Sequence, residues 1–396
     1  MKVLLVHNSY QLHGGEDVAF EQEVQLLRRY SHQVVVYRRS NTEIQDFSAL
    51  RRLGLAKRAV WAGHSYEEIL RLIRKETPEL VHVHNTFLMI SPSIYSACRE
   101  MGVPVVQTLH NYRLLCPGGN LTRNGRPCEL CMSGTLLHSV THACYRGSRT
   151  STTVVAAMLV AHRRWQTWSK MVDCYIALSN FAAKKFVEGG LPAHKLTVKP
   201  NFVHPAPGVR NDSGTCAVYV GRLSSEKGVD TLLQAWKHVK SCVPLLVIGD
   251  GPLRERLTSE FQGDSRVTFC GLLPRAEVLG ALRSARFLIV PSRCYENFPM
   301  TIAEAYACGV PVIASDMGAM RELVAHGRTG LLFRPEDAEH LAESVDWAWS
   351  HPGDLEYMGN ECWAEFRLKY SAERNYELLM ESYERVISRR PLALTA

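Results

Sequence analysis

Two kinds of segment alternate along this chain. Short apolar runs, typical of strands buried on both faces, are separated by stretches whose apolar residues recur at helical spacing. This alternation predicts βα units and parallel sheets. The predicted strands are Val3–His7, Gln33–Arg38, Leu80–His84, Val103–Leu109, Cys174–Leu178 and Lys195–Lys199 in the first half, and Ala217–Gly221, Leu245–Gly249, Val267–Cys270, Phe287–Val290, Val310–Ala314 and Leu331–Phe333 in the second.

The segment from Lys199 to Gly208 interrupts this pattern with three prolines and a glycine, as a linker does. We therefore expect an α/β protein with two doubly wound, Rossmann-like domains that face a central cleft, with ligands at the C-terminal edges of the strands. The expected bounds are 1–200 for the first domain, with an insert at 113–146, then 201–212 for the linker, 213–371 for the second domain and 372–396 for a C-terminal helix.

Composition fits this division, because 396 residues are comfortable for two domains and 46% hydrophobic residues can bury large cores. No apolar run approaches the roughly 20 residues that a membrane span needs. The first residues read as a strand rather than a signal peptide, so we expect a cytoplasmic protein. Its twelve cysteines should then be mostly reduced thiols.

A net charge of +7 could serve anionic nucleotides, an acidic membrane surface or nucleic acid. The chain carries no RNA- or DNA-binding signature, so nucleic acid is not expected as a partner. The basic residues concentrate in two groups of the N-terminal half, namely Arg51, Arg52, Lys57 and Arg58, then Arg146, Arg149, Arg163, Arg164 and Lys170.

Two carboxylates frame one strand-to-helix turn in the second half. Glu296 follows the apolar run that ends at Val290, Pro299 suits the start of a helix, and Glu304 lies inside that helix. The unpaired N–H groups of a helix start favour anions. Two acceptors beside such an anion site suit a ligand with phosphates and sugar hydroxyls, although either residue alone could be an ordinary solvated glutamate.

The E-x7-E spacing, the run Ala305–Asp316 after it, and then Gly318, Glu322 and Gly327–Leu332 resemble the donor site of retaining glycosyltransferases with the GT-B fold, of the family-4 type (group 1). The similarity covers the C-terminal half almost continuously. It implies a UDP- or GDP-sugar donor, an acceptor-side first domain, and a C-terminal helix that returns to it. It also implies that Glu304 binds the ribose and Glu296 the donor sugar.

Further motifs carry the same resemblance. Arg222 and Lys227 lie in a G-R-L-S-S-E-K-G run, where two cations can neutralise a leaving diphosphate in place of a catalytic metal. The other residues that the resemblance assigns to donor binding are Gly14, Gly15, Asn201, Gly249, Gly251, Gly271, Leu272, Phe298, Pro299, Met300 and Thr301.

His110 ends the strand Val103–Leu109 and matches the family's histidine near the transferred sugar. A single histidine at such a place is often a structural residue. His84 ends the preceding strand and is a weaker second candidate, expected to line the cleft.

Four cysteines cluster in the insert, with the spacing C-x11-C-x2-C-x12-C. Such spacing can hold a structural zinc ion or an iron–sulfur cluster, with His138 and His142 as alternative ligands. The alternative is four reduced cysteines in an acceptor-side loop. The residues concerned are Cys116, Cys128, Cys131 and Cys144.

A helix is predicted from Thr150 to Met171, and its last turns interleave Trp165 and Trp168 with basic residues. This composition suits either a membrane interface or a core helix with a solvated basic face. With the charge asymmetry, it favours peripheral attachment to an anionic membrane and a sugar, glycolipid or polysaccharide acceptor. A GT-B sugar-nucleotide epimerase and a non-catalytic nucleotide-sugar-binding protein are the alternatives to a transferase.

Overall fold

A computed structural model describes residues 1–11, 14–46 and 54–388. The strands are β1 Lys2–Ser9, β2 Gln33–Ser40, β3 Leu80–Asn85, β4 Val105–Leu109, β5 Thr122–Arg123, β6 Arg126–Pro127, β7 Cys174–Ala177, β8 Leu196–Val198, β9 Cys216–Val220, β10 Leu245–Ile248, β11 Val267–Gly271, β12 Ala285–Val290, β13 Val312–Ser315 and β14 Gly330–Phe333.

The helices are α1 Gly15–Arg29, α2 Leu55–Val60, α3 Gly63–Glu76, α4 Ser93–Glu100, α5 Leu130–Ser133, α6 Leu137–Thr141, α7 Arg149–Arg164, α8 Thr167–Lys170, α9 Asn180–Glu188, α10 Val229–Trp236, α11 Arg254–Glu260, α12 Arg275–Arg283, α13 Met300–Ala307, α14 Gly318–Leu323, α15 Ala338–Ser350, α16 Pro352–Glu365 and α17 Ala372–Ile387. Short 3₁₀ turns lie at Asn41–Asp46, Ala193–Lys195 and Ser225–Lys227, and a π-helical turn at Phe366–Tyr370.

The first compact unit comprises residues 1–120, 129–200 and those from Asn375 onward. Its sheet has the strand order β2-β1-β3-β4-β7-β8, and every pair is parallel. Strand β3 is buried along its whole length, as expected where helices cover both faces. Tyr383 and neighbours on α17 pack in one core cluster with β1 and α1, so the C-terminal helix belongs to this unit, as predicted.

The second unit comprises residues 121–128 and 201–374. Its parallel sheet has the order β11-β10-β9-β12-β13-β14. The sequence order reverses between β9 and β12, and doubly wound folds bind their ligands beside the strand ends at such a switch point. Each of the two six-stranded parallel sheets matches the predicted α/β class.

The predicted helix over 150–171 is wrong in one respect. It forms two helices, α7 and α8, because Gln166 between them has a left-handed φ of 56° that no α-helix continues. The two tryptophans are therefore placed differently: Trp165 is 48% exposed, whereas Trp168 is 5% exposed.

The insert also differs from its prediction, which assigns all of residues 113–146 to the first domain. Its hairpin β5–β6 belongs to the second unit instead. There, Arg126 pairs with Glu336 at 2.9 Å, and Glu336 pairs with Arg293 at 2.7 Å. No sequence pattern marks such partners, because they lie more than a hundred residues from the hairpin.

Among the described helices, none has both the length and the apolar content that crossing a membrane requires.

Candidate functional site

The second unit gathers its charged groups at the switch point between β9 and β12. Parallel strands end at one edge of a sheet, so the loops that follow these two strands are neighbours. The Nζ atom of Lys227, after β9, lies 2.6 Å from Oε1 of Glu296, after β12. The Ser292 hydroxyl donates to the same oxygen at 2.7 Å. The structure therefore brings together two of the residues predicted from separate motifs.

Both members of this pair are charged at neutral pH. Burial alone would raise the pKa of Glu296, but the Lys227 charge and hydrogen bond outweigh it and the pKa is lowered. Burial likewise would lower the pKa of Lys227, and Glu296 reverses this, so that pKa is raised. The site thus holds a stable ammonium group beside a carboxylate, which can bind an anion and a hydroxyl respectively.

Arg222 supplies a second cation in the same loop. The Tyr219 hydroxyl donates to the Arg222 carbonyl oxygen at 2.8 Å and fixes the backbone there. The Arg222 side chain is exposed, and in the part of the chain that the structure describes it has no ion-pair partner. Its guanidinium group is available to an anionic ligand.

Glu304 lies on α13, which begins directly after Pro299, and the Pro299 carbonyl oxygen accepts from Ile302 N at 3.0 Å. Oε1 of Glu304 is 3.6 Å from Nη2 of Arg275, the first residue of α12. Burial raises the pKa of Glu304, and the charge of Arg275 opposes that rise. Sequence reasoning missed Arg275, since a lone arginine after a proline carries no motif.

Close backbone packing requires glycine at two turns of the second unit. Gly249 has a φ of 137°, and a Cβ there would lie 1.9 Å from the Gly221 carbonyl oxygen. A Cβ on Gly251 would lie 2.5 Å from the Leu223 oxygen. These glycines therefore let the loops after β9 and β10 touch through their backbones.

The remaining residues predicted to bind the donor lie in varied surroundings. In the second unit, Gly271 ends β11, Leu272 is 76% exposed, and Asn201 and Phe298 are buried. Met300 and Thr301 form the first turn of α13 and are partly exposed. Gly14 and Gly15 are exposed at the start of α1 in the first unit.

In the first unit, a row of polar side chains crosses β3 and β4. Alternate residues of a strand face the same side, so His82 and His84 share a face, as do Thr108 and His110 on the neighbouring strand. Nδ1 of His84 lies 2.9 Å from Nε2 of His110. Nε2 of His82 lies 2.8 Å from the Thr108 hydroxyl. His110 and His84 are thus direct partners.

An ion pair lies behind this row. Oε2 of Glu23, on α1, accepts from Lys199 Nζ at 3.0 Å, and Oε1 lies 3.0 Å from His84 Nε2 and 2.9 Å from His82 Nδ1. Burial would raise the pKa of Glu23, but Lys199 and the two histidines lower it well below its usual range. The ligand atoms of Glu23, His82 and His84 lie within 4.8 Å of one another. The ammonium group already on this carboxylate would repel a cation, so the set does not fit a metal ion.

The start of α1 is held by hydrogen bonds to β1 and to the loop that follows β4. Asp17 accepts from Gly14 N at 3.0 Å, and its other oxygen lies 2.9 Å from His7 Nε2. Oε2 of Glu16 accepts from Asn111 Nδ2 at 3.1 Å, and burial raises the pKa of Glu16 to about 8. Sequence reasoning missed Glu16, since nothing in its spacing marks a buried acid.

The described residues give no evidence for the predicted four-cysteine metal site. Among the described residues, Glu23, His82 and His84 are the group of three or more potential ligands that comes close enough for one ion, and it contains no cysteine. Cys128 belongs to the second unit, whereas Cys116, Cys131 and Cys144 belong to the first. No cysteine of the described residues is in a disulfide. The spacing matches a ligand pattern, but no three of the four sulfur atoms lie within 4.8 Å of one another.

The fold and this arrangement define a two-domain, doubly wound α/β protein with its charged groups at the C-terminal strand edges. Two family models match the chain: one described as Glycosyltransferase Family 4 over residues 13–206, and one described as Glycosyl transferases group 1 over residues 214–351. The chain belongs to the group 1 glycosyltransferases, and its fold is GT-B.

Two similar proteins and one similar solved structure illustrate these matches, and the structure, at 17% identity, bears on the fold alone. A 2-deoxystreptamine glucosyltransferase of Streptomyces kanamyceticus is 25% identical over 351 residues, which cover 83% of each chain. An exopolysaccharide phosphotransferase of Streptomyces coelicolor is 30% identical over 233 residues, 55% of this chain and 24% of that protein's length. The crystal structure of HepE from Anabaena in complex with UDP aligns with a TM-score of 0.67 at 17% identity, covering 97% of this chain and 100% of that one.

Replacing Gly249 with alanine tests the packing of the glycine turn. The added Cβ would overlap the Gly221 oxygen, so we expect a loss of about 1–3 kcal/mol in the free energy of unfolding, the usual cost of overpacking. Urea denaturation measures it. Gly263→Ala is the control, since its Cβ would enter open space. Equal stability of the two variants would contradict the packing role.

Proposed function

We propose that the protein is a retaining glycosyltransferase that moves a sugar from a nucleotide diphosphate sugar, UDP- or GDP-linked, to an acceptor hydroxyl. The synthesis of cell-surface polysaccharide or glycolipid is the proposed setting. The observation that carries the proposal is the Lys227–Glu296 pair beside the exposed Arg222 at the switch point of the second sheet.

Each group has a part in the proposed reaction. The nucleotide diphosphate leaves with growing negative charge, which Lys227, Arg222 and the N–H groups around Thr301 stabilise. Glu304 accepts from ribose hydroxyls, and Glu296 from hydroxyls of the donor sugar. His110 contacts the transferred sugar, as the family resemblance implies. The acceptor hydroxyl attacks the anomeric carbon on the face that the diphosphate leaves.

Incubation with nucleotide sugars, in the presence and absence of an acceptor, separates the proposed activity from the alternatives. The chain is incubated with UDP-glucose, with GDP-mannose and with a panel of further nucleotide sugars, each with and without hydroxyl acceptors, after a thermal-shift screen identifies those that bind. A transferase releases nucleoside diphosphate and glycoside in equal amounts. An epimerase releases nucleotide or epimer without acceptor, and a binding protein releases neither; either result would refute the proposal.

Replacing Lys227 with alanine should lower kcat by about 10²–10³-fold while UDP binding weakens much less. Its charge opposes negative charge that develops only as the diphosphate departs, so it acts mainly in the transition state. Steady-state kinetics and UDP calorimetry measure the two effects. Lys237→Ala is the control, because Lys237 also pairs with a glutamate, Glu260, but on an exposed surface. A rise in KM with unchanged kcat would contradict the role.

Replacing Glu304 with alanine should weaken nucleotide-sugar binding, because its carboxylate is proposed to accept the ribose hydroxyls. A hydrogen bond to a charged group is worth about 1.5–3 kcal/mol, or roughly a 10- to 150-fold rise in Kd. Calorimetry with UDP measures the change, and Glu343→Ala, an exposed glutamate of α15, is the control. Unchanged affinity in a folded variant would remove Glu304 from the ribose site.

We further propose that the first unit attaches to an anionic membrane surface on the cytoplasmic side. Trp61 and Trp165 are 38% and 48% exposed, with ring centroids 6.1 Å apart, and Lys57 and Arg164 are exposed nearby in the chain. Tryptophans beside basic residues suit a bilayer interface. Arg51 and Arg52, which belong to the same basic group along the sequence, lie outside the described residues.

The double variant Trp61→Ser/Trp165→Ser should lose flotation with anionic liposomes, and high salt should weaken flotation of the unaltered protein. Each basic residue near an anionic surface contributes about 1 kcal/mol, and salt screens that attraction. Trp347→Ser, which alters another exposed tryptophan on α15, is the control. Equal recovery on neutral and anionic liposomes would contradict the attachment.

A further inference from the structure

His110 is reached from the core by a chain of hydrogen-bonded groups. Lys199 Nζ donates to Glu23 Oε2 at 3.0 Å, and Glu23 Oε1 lies 3.0 Å from His84 Nε2. His84 Nδ1 lies 2.9 Å from His110 Nε2. Glu23, His84 and Lys199 are all at least nine-tenths buried. The chain therefore runs from a buried ion pair to a histidine at the strand edge.

The ion pair fixes the direction of every hydrogen bond in this chain. An ionised carboxylate can only accept, so the Glu23 oxygen requires a proton on His84 Nε2. A neutral imidazole carries one N–H, which leaves His84 Nδ1 as an acceptor. His110 must then donate from Nε2. Its own Nδ1 is left with the lone pair.

The protonation states of His84 and His110 support these hydrogen-bond directions. Burial, with Glu23 acting against it, lowers the pKa of His84 to about 4, and burial, reinforced by His84, lowers the pKa of His110 well below its usual range. Both rings are therefore neutral at physiological pH. The other neutral tautomer of His84 would carry its proton on Nδ1. Its unprotonated Nε2 would then face the Glu23 carboxylate, with two acceptors 3.0 Å apart.

We propose that Glu23 and His84 are positioning residues for His110, holding its ring as the tautomer protonated at Nε2 so that Nδ1 acts as a hydrogen-bond acceptor. A sugar hydroxyl, which can donate to Nδ1, is the ligand group that this tautomer selects. The inference rests on the proposed function for the identity of that ligand, but the order of the hydrogen bonds does not depend on it.

The C-terminal helix takes part in the same arrangement. Asn375 on α17 places its side-chain oxygen 3.0 Å from Lys199 Nζ, and its amide donates to the Pro200 carbonyl oxygen at 2.6 Å. The Tyr383 hydroxyl lies 2.8 Å from His82 Nδ1. Asn375, 176 positions from Lys199, thus holds the ammonium group that keeps Glu23 ionised, and Tyr383 holds the neighbouring His82.

Nitrogen NMR of the full chain with labelled histidine tests the tautomer directly. The signals of His110 are assigned by their absence in His110→Gln, among the sixteen histidines. We expect a protonated Nε2 and an unprotonated Nδ1, and we expect UDP-glucose, but not UDP, to shift the Nδ1 signal. A proton on Nδ1, or a mixture of tautomers, overturns the inference.

Kinetics of Glu23→Gln separate positioning from general support of the core. We expect kcat to fall by about 10- to 100-fold, as misplacement of a catalytic group does, with UDP affinity unchanged. Thr108→Val is the matched control, because Thr108 is equally buried. This variant removes the hydrogen bond between Thr108 and His82 but leaves the one between His84 and His110 in place. An equal loss in both variants reduces the role to structural support and overturns the inference.

If Glu23→Gln fails to fold, the inference can still be tested, because NMR of the unaltered protein reports the tautomer of His110. If the chain turns over no nucleotide sugar and UDP-glucose leaves Nδ1 unshifted, the proposed function and the positioning role both fail. If transfer occurs but His110 carries its proton on Nδ1, the function stands and the inference fails.

Discussion

The buried pair of Glu23 and Lys199 is the interaction on which the polar edge of the first unit depends. Removing two charges from water costs several kcal/mol for each, and only good geometry with further hydrogen bonds offsets this. Here Asn375 supplies one to Lys199, and His82 and His84 supply two to Glu23. Loss of one partner from such a pair typically costs about 3–5 kcal/mol. These hydrogen bonds fix the orientation of the polar side chains that lie beside the apolar core of the first unit.

The second unit uses its ion pair differently. Lys227 is partly exposed, and its partner Glu296 is held by one further hydroxyl, from Ser292. The Lys227 side chain is 34% exposed, so a ligand can reach this pair from solvent and compete for its contacts. Glu23 and Lys199 therefore resist rearrangement, whereas Lys227 and Glu296 remain accessible to the ligand groups proposed for them.

Local patterns carry most of what the sequence predicts. The apolar runs mark the strands of both sheets because burial on two faces leaves a continuous signal, and Glu296 and Lys227 are found because both lie in motifs. Glu23 and Lys199 are missed since they are 176 residues apart and neither has a neighbouring partner. His84 was expected only to line the cleft, although alternation along β3 brings it to His110. The four-cysteine prediction gains no support, since spacing along the chain does not determine whether the sulfur atoms come close together.

The path of the chain has a consequence for its synthesis. The chain passes from one unit to the other after Asn120, Cys128, Pro200 and Arg374. On the ribosome, all six strands of the first sheet emerge long before α17, whose Leu379 and Tyr383 cover the apolar side chains of β1 and α1. That surface stays uncovered until α17 is translated, and exposed apolar surface of this kind promotes aggregation or chaperone binding. A ribosome that stalls within the second unit would therefore leave both units unfinished.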